Sequence, residues 1–404
     1  MGRECERRTR RRQAGAAYHS GMGTKHFDTR LIHAGLPSPP LGGAVVTPVF
    51  QSAICHFEGE EDYHDIRYIR LNNTPNHLEL HAKLAALEGA EAALVTASGM
   101  AAITTALLTV VRPGDHILFG STLYGGTHDF VITDMAELGI EYDFVDPDDP
   151  ESWEAARRTN TRAFYLESLT NPLLEVPDLE AAVAFCQKHG LLSLVDNTFP
   201  SPFNFRPAEL GFDLSLHSAT KYLNGHSDLV AGAVIGSTEL IERVRRKLGH
   251  LGGTLDPHAC FLLCRGMKTL AVRMRHQNHG ALALARFLAG HKAVARVNHP
   301  GLTEHPQHER AMRLFNGTSG MLSFELFGGV EAADRMIQAL ELPIHAPSLG
   351  GVESLVTRPA LTSHSGMSPE ARAASGIADG LVRVSVGLED ANDLIGDFEA
   401  ALET

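Results

Sequence analysis

From residue 78 onward, apolar positions recur in short blocks whose spacing switches between helical and strand-like. Residues 78–87 repeat at helical spacing, and residues 92–95 form a short strand-like block. Residues 101–111 read as an apolar helix, stopped by Pro113-Gly114-Asp115. Further strand-like blocks follow at 116–119, 163–166, 191–195 and 230–235, with a helix predicted at about 179–188. Short buried strands alternating with helices imply a mainly parallel sheet covered on both faces. Residues 260–289 read as one long helical stretch. After it, 322–326 and 382–386 alternate like strands of a mixed sheet in a second, smaller domain. Residues 25–76 are rich in Pro, Gly and polar side chains and read as an extended arm.

In sheets of this kind ligands sit at the carboxyl ends of the strands. Lys221 lies there, in Ser218-Ala219-Thr220-Lys221, after a strand-like run. Asp196 ends the block at 191–195. An amine that can form a Schiff base and a buried carboxylate that can hold a pyridine proton are what a pyridoxal phosphate site needs. A lysine beside Ser and Thr is also a common surface residue.

Ser98-Gly99-Met100 follows a strand and opens a helix, a place suited to phosphate or to an ordinary turn. Tyr124 stands in a glycine-rich turn, where its ring either stacks on a cofactor or packs internally. Asn171 precedes Pro172, which fixes a non-helical loop, and its amide could bond a phenolic oxygen. Arg383 interrupts an apolar strand, so it needs a partner: a substrate carboxylate or a structural Asp or Glu.

Composition narrows the field. The 404 residues are 44% hydrophobic and 21% charged, ordinary globular values. A net charge of -13 leaves no general basic surface for nucleic acid. No apolar run is long enough for a membrane span. Five cysteines without regular spacing argue against a disulfide framework and for a reducing, cytoplasmic setting. The cluster His258, Cys260, Cys264, His276 and His279 matches no zinc pattern, so no metal is expected. There is no G-x-G-x-x-G after a strand, which disfavours a dinucleotide. The six arginines at positions 3–12 lack the apolar core of a secretory signal. Residues 1–24 read as a disordered basic tail, or as the result of an upstream start codon with Met22 as the functional start.

Taken in order, these motifs resemble the Cys/Met-metabolism family of pyridoxal phosphate enzymes, from about His26 to the C-terminus. The residues that carry the resemblance are Val195-Asp196-Asn197-Thr198, Ser218 to Lys221, Ser98-Gly99-Met100, Tyr124-Gly125-Gly126-Thr127, Thr170-Asn171-Pro172 and the segment 381–389. The resemblance implies an α/β fold of type I, with a seven-stranded, mainly parallel sheet and a smaller α+β C-terminal domain. It implies an arm at 25–75, a cofactor-binding domain at 76–270 and a small domain at 271–404. It also implies pyridoxal 5'-phosphate on Lys221, Asp196 at the pyridine nitrogen, and Tyr124 against the ring. Ser98, Gly99, Met100, Ser218 and Thr220 would hold the phosphate, joined by Tyr68 and Arg70 of a neighbouring subunit in a dimer or tetramer. Asn171, Ser348 and Arg383 would meet cofactor and substrate, and Glu353 a distal ammonium.

The chain departs from the family where Leu71-Asn72-Asn73-Thr74-Pro75 replaces the usual continuation of Tyr68-Ile69-Arg70. Asp129 lies near the place of an arginine in cystathionine-handling members. Gly126 replaces the cysteine of methionine γ-lyases. The expected activity is C–S lysis by α,γ-elimination on cystathionine or a related sulfur amino acid. The alternative is γ-replacement on an O-acylhomoserine.

Overall fold

The computed structural model describes residues 17–18, 24–57 and 59–404. The expected tail falls almost wholly outside them. Seven strands form the larger sheet: β1 (Ala92–Thr96), β2 (His116–Gly120), β3 (Glu141–Val145), β4 (Thr161–Glu167), β5 (Leu192–Asp196), β6 (Leu214–His217) and β7 (Gly232–Gly236). Their order is β1-β7-β6-β5-β4-β2-β3. All neighbours are parallel except β7, which runs antiparallel to both β1 and β6. A five-stranded sheet, largely antiparallel, is built from β8 (Val294–Asn298), β9 (Met321–Leu326), β10 (Ile344–His345), β11 (Leu355–Thr357) and β12 (Val382–Ser385).

Both faces of the larger sheet are buried, as its near-continuous apolar strands require. One core collects Val95, Phe164, Val195 and Ala233; the opposite one collects Leu94, Tyr165, Leu194 and Val234. The smaller sheet has its own core around Leu322, Phe324 and Val384. Helix Leu270–Ala289 serves two cores: Leu270 and Met274 join the larger sheet's, while Ala281, Leu284 and Leu288 join the smaller one's.

Three details differ from the sequence expectations. The block 230–235 is a strand only from Gly232. Ala231 instead exchanges hydrogen bonds with Thr220, and Val230 is 59% exposed. The single helix expected at 260–289 is two helices, Pro257–Met267 and Leu270–Ala289. At the break the Gly266 carbonyl accepts from Thr269 Oγ1 and Arg273 Nη2 rather than continuing a helical ladder. Strand β3 escaped detection because it alternates polar residues on an edge, where Glu141 and Asp143 pair with Arg158.

One buried contact pins the strand that leads to Lys221. Helix Pro75–Glu88 ends under β6, and Glu88 Oε1 lies 2.5 Å from His217 Nε2, both side chains being fully buried. Ser215 Oγ also donates to Glu88 Oε1. Glu88→Ala leaves these polar groups only the long 3.4 Å contact between Ser215 Oγ and His217 Nε2, at a cost of about 1–3 kcal/mol. A lower urea midpoint for that variant is the expected result, and an unchanged midpoint would show that the contact does not hold β6.

Candidate active site

The carboxyl ends of β1, β4, β5 and β6 open into a cavity of about 700 Å³. Ser98, Gly99, Met100, Tyr124, Asn171, Asp196, Ser218, Thr220, Lys221, Ser348 and Arg383 all line it. They gather from both parts of the chain: Arg383 lies in β12 of the smaller sheet and Ser348 in the loop between its strands β10 and β11.

The wall at the end of β1 is a ready anion seat. Ser98 caps helix Gly99–Val110, its Oγ accepting from Ala101 N at 3.0 Å. The exposed N–H groups and dipole of such a helix start favour a phosphate. Gly99 packs against Ser218, where a Cβ would come within 2.8 Å of the serine Cβ. Gly232 of β7 is as crowded, since a Cβ there would meet the Ser98 carbonyl oxygen at 2.2 Å. Ser218 N donates to Thr198 Oγ1, tying the end of β6 to the loop after β5.

Asp196 ends β5 with its carboxyl more than nine-tenths buried. Thr198 N donates to its Oδ1 at 2.9 Å. Burial pushes its pKa up, while the Thr198 hydrogen bonds and His217 pull it back. Lys221 Nζ donates to Ser348 Oγ at 2.6 Å. Burial lowers the Lys221 amine to about 8, helped by the nearby Arg383 guanidinium. Arg383 is itself lowered to about 10 by burial. Its Nη1 donates to Asn171 Oδ1 at 3.0 Å and its Nη2 to the Ser348 carbonyl at 3.1 Å. No Asp or Glu pairs with it, and its buried Nε has no partner among the described residues. Of the two readings open for this arginine, the structural carboxylate is not found among the described residues.

Four expected positions lie elsewhere. Tyr68 and Arg70 are outside the cavity of their own chain; Arg70 donates to the Gly249 carbonyl and to the Tyr63 hydroxyl. Glu353 lines an adjoining groove of about 770 Å³, which shares Thr220, Val230, Pro347, Ser348 and Leu349 with the cavity. Asp129, near the place of the arginine in cystathionine-handling members, is exposed and outside both. Helix Gly125–Phe130 points it outward while His128 stacks on Phe144. Sequence reasoning also passed over Glu167, Thr198 and the strap Leu361-Thr362-Ser363, all of which line the cavity. Glu167 carried a usable signal: a carboxylate closing an apolar strand.

Residues 28–403 match the family described as Cys/Met metabolism PLP-dependent enzymes. The chain belongs to that family. It is 44% identical to an L-methionine gamma-lyase of Pseudomonas putida, over 93% of this chain and 97% of the relative. It is 42% identical to a cystathionine gamma-lyase of Bacillus subtilis, over 93% and 98%. The solved cystathionine gamma synthase of Xanthomonas oryzae pv. oryzae, in complex with aminoacrylate and cysteine, superimposes with a TM-score of 0.90. That structure is 38% identical and covers 94% of this chain and 98% of its own.

This is a pyridoxal 5'-phosphate enzyme, and the cavity suits the group. A lysine amine inclined to neutrality, a buried carboxyl, a helix start with no room for a Cβ at Gly99, and an unpaired guanidinium for an acid group converge there.

The lysine's environment is testable. Capture of pyridoxal 5'-phosphate by the apoenzyme should speed up as pH rises through about 8, where Lys221 loses its proton. Arg383→Gln removes a like charge and should move that midpoint to higher pH. A parental midpoint near the free-lysine value of ~10.4 would contradict the burial argument.

Proposed function

We propose that the enzyme cleaves the Cγ–S bond of cystathionine or a related sulfur amino acid by α,γ-elimination. The supporting observation is two-ended: Arg383 sits beside Lys221 at the cavity floor, and the adjoining groove carries Glu353. A guanidinium suits the α-carboxylate of the reacting half. A carboxylate beyond it suits a distal ammonium.

The cofactor supplies an electron sink, its protonated ring accepting the pair left when a proton leaves the substrate. The protein residues do the rest. Asp196 holds the proton on the ring nitrogen. Tyr124 would offer its ring face to the cofactor, and Ser98, Gly99, Met100, Ser218 and Thr220 would seat the phosphate. Arg383 and Asn171 bind the α-carboxylate and turn the Cα–H toward Lys221. Lys221 would hold the cofactor through its amine, and its Nζ in the neutral form would take the Cα proton and then serve Cβ. The Tyr124 hydroxyl, which has no hydrogen-bond partner among the described residues, would protonate the departing sulfur.

A second reading, γ-replacement on an O-acylhomoserine, is favoured by the likeness to the Xanthomonas synthase. The two share every step up to loss of the γ-substituent, so water or thiol access decides between them.

The arm supports shared active sites in a dimer or tetramer. Val45, Ile54, Phe57 and Tyr63 are more than half exposed along it, and Arg70 and Tyr68 lie outside their own cavity. These apolar side chains suit burial against a second copy, with Arg70 reaching the partner's phosphate seat. The chain divides for this purpose into an arm at 25–75, a cofactor domain at 76–270 and a small domain at 271–404. A cytoplasmic location suits the four free cysteines among the described residues.

Purified holoenzyme given cystathionine should release a 2-oxo acid, ammonia and cysteine without added thiol. Net synthesis from O-acylhomoserine plus cysteine, with no lysis, would favour the second reading. Glu353→Ala should lower kcat/KM for cystathionine relative to homocysteine by about fivefold, the loss of a partly solvated charge contact of ~1 kcal/mol. An unchanged ratio would remove the distal role of Glu353. Mixing Lys221→Ala with Arg70→Ala subunits should restore part of the activity, because one site in the hybrid is intact. No recovery after proven subunit exchange would place Arg70 in service of its own chain.

A further inference from the structure

A second buried carboxyl stands beside Asp196. Glu167 ends β4 as Asp196 ends β5, and the two are register partners in parallel strands. Such partners lie on the same face about 4.8 Å apart. Both side chains line the cavity and both are more than nine-tenths buried. The mechanism above gives Glu167 nothing to do.

Its bonds suggest a task. Glu167 Oε1 accepts from the backbone N–H of Tyr124 at 2.5 Å. The end of β4 is thereby tied to the loop that carries the ring-facing tyrosine. Tyr124 needs such a tie. Its side chain is 42% exposed, it caps a helix of only six residues, and its hydroxyl has no partner among the described residues. Gly126 behind the ring is close enough that a Cβ there would meet Tyr124 Cε1 at 2.8 Å. A small slip of the Tyr124 backbone would therefore turn the ring.

We infer that Glu167 is a positioning residue that clamps the Tyr124 loop and thereby sets the tyrosine ring against the cofactor. The inference rests on the cavity being the cofactor site and not on the choice between elimination and replacement. Burial, reinforced by the Asp196 carboxylate, drives the Glu167 pKa well upward, while the hydrogen bond from the Tyr124 backbone pulls it back. A neutral amide of the same length should replace it.

The test is titration of apoenzyme with pyridoxal 5'-phosphate, read by absorbance and by the visible circular dichroism of the bound cofactor. Glu167→Gln keeps an acceptor and should bind within about threefold of the parent. Glu167→Met keeps the length without a comparable acceptor and should bind about tenfold more weakly, the worth of one strong hydrogen bond, with an altered dichroism band. Combined with Tyr124→Ala, it should add little further loss, because both act through one ring. Full additivity would mean that Glu167 acts independently of Tyr124 and would overturn the clamp, as would parental binding by Glu167→Met. Should Glu167→Met fail to fold, Glu167→Gln decides alone: a loss beyond about tenfold shows that the charge is required and refutes a neutral clamp. Lys221→Ala, titrated alongside, separates the two levels. Parental affinity and a parental aldehyde-shift spectrum in that variant would topple the site assignment itself, whatever Glu167 does.

Discussion

The site depends on two cations being forced close together away from water. Lys221 comes from the larger sheet's side of the cavity and Arg383 from the smaller sheet, and neither has a carboxylate partner there. Burial disfavours charge on both. Arginine keeps its proton over any ordinary pH range, so the lysine is the group that yields. Neutral and anionic acceptors were available in principle. The structure uses only neutral ones, Ser348 Oγ for the amine and Asn171 Oδ1 with a backbone carbonyl for the guanidinium. That choice leaves the guanidinium free for an incoming acid and keeps the amine nucleophilic.

The opposite wall follows contrary logic. Asp196 and Glu167 are acids crowded together, and burial raises the proton affinity of both. Acids and bases are thus pushed toward neutrality from both sides of one cavity. The Thr198 hydrogen bonds and His217 oppose that trend at Asp196, the acid assigned to the ring nitrogen.

Much of this was legible in the sequence, for a physical reason. Parallel strands put their functional residues immediately after an apolar run, so Asp196, Lys221, Ser98 and Tyr124 stand out as polar punctuation. Arg383 stands out as a charge inside an apolar strand. Edge strand β3 was hidden because an edge tolerates alternating charge. The break at Lys268–Thr269 was hidden because side chains, rather than Gly or Pro, take over the helix carbonyls. Glu167 was visible as a strand-ending carboxylate, but its clamp depends on the β4–β5 register, which one sequence does not reveal. The placement of Asp129 turned on the direction of a single short helix, beyond what spacing resolves.

The reversed strand β7 contributes no polar side chain, yet it separates β1 from β6, the two strands whose ends carry Ser98 and Ser218. Its first residue, Gly232, gives up even a methyl group so that the Ser98 loop can lie down on it. The bore of the anion seat is therefore gauged by a spacer rather than by the groups that line it. A change that widened this spacer would leave every recognisable motif intact while spoiling their fit, so an inventory of polar residues would pass such a chain as competent.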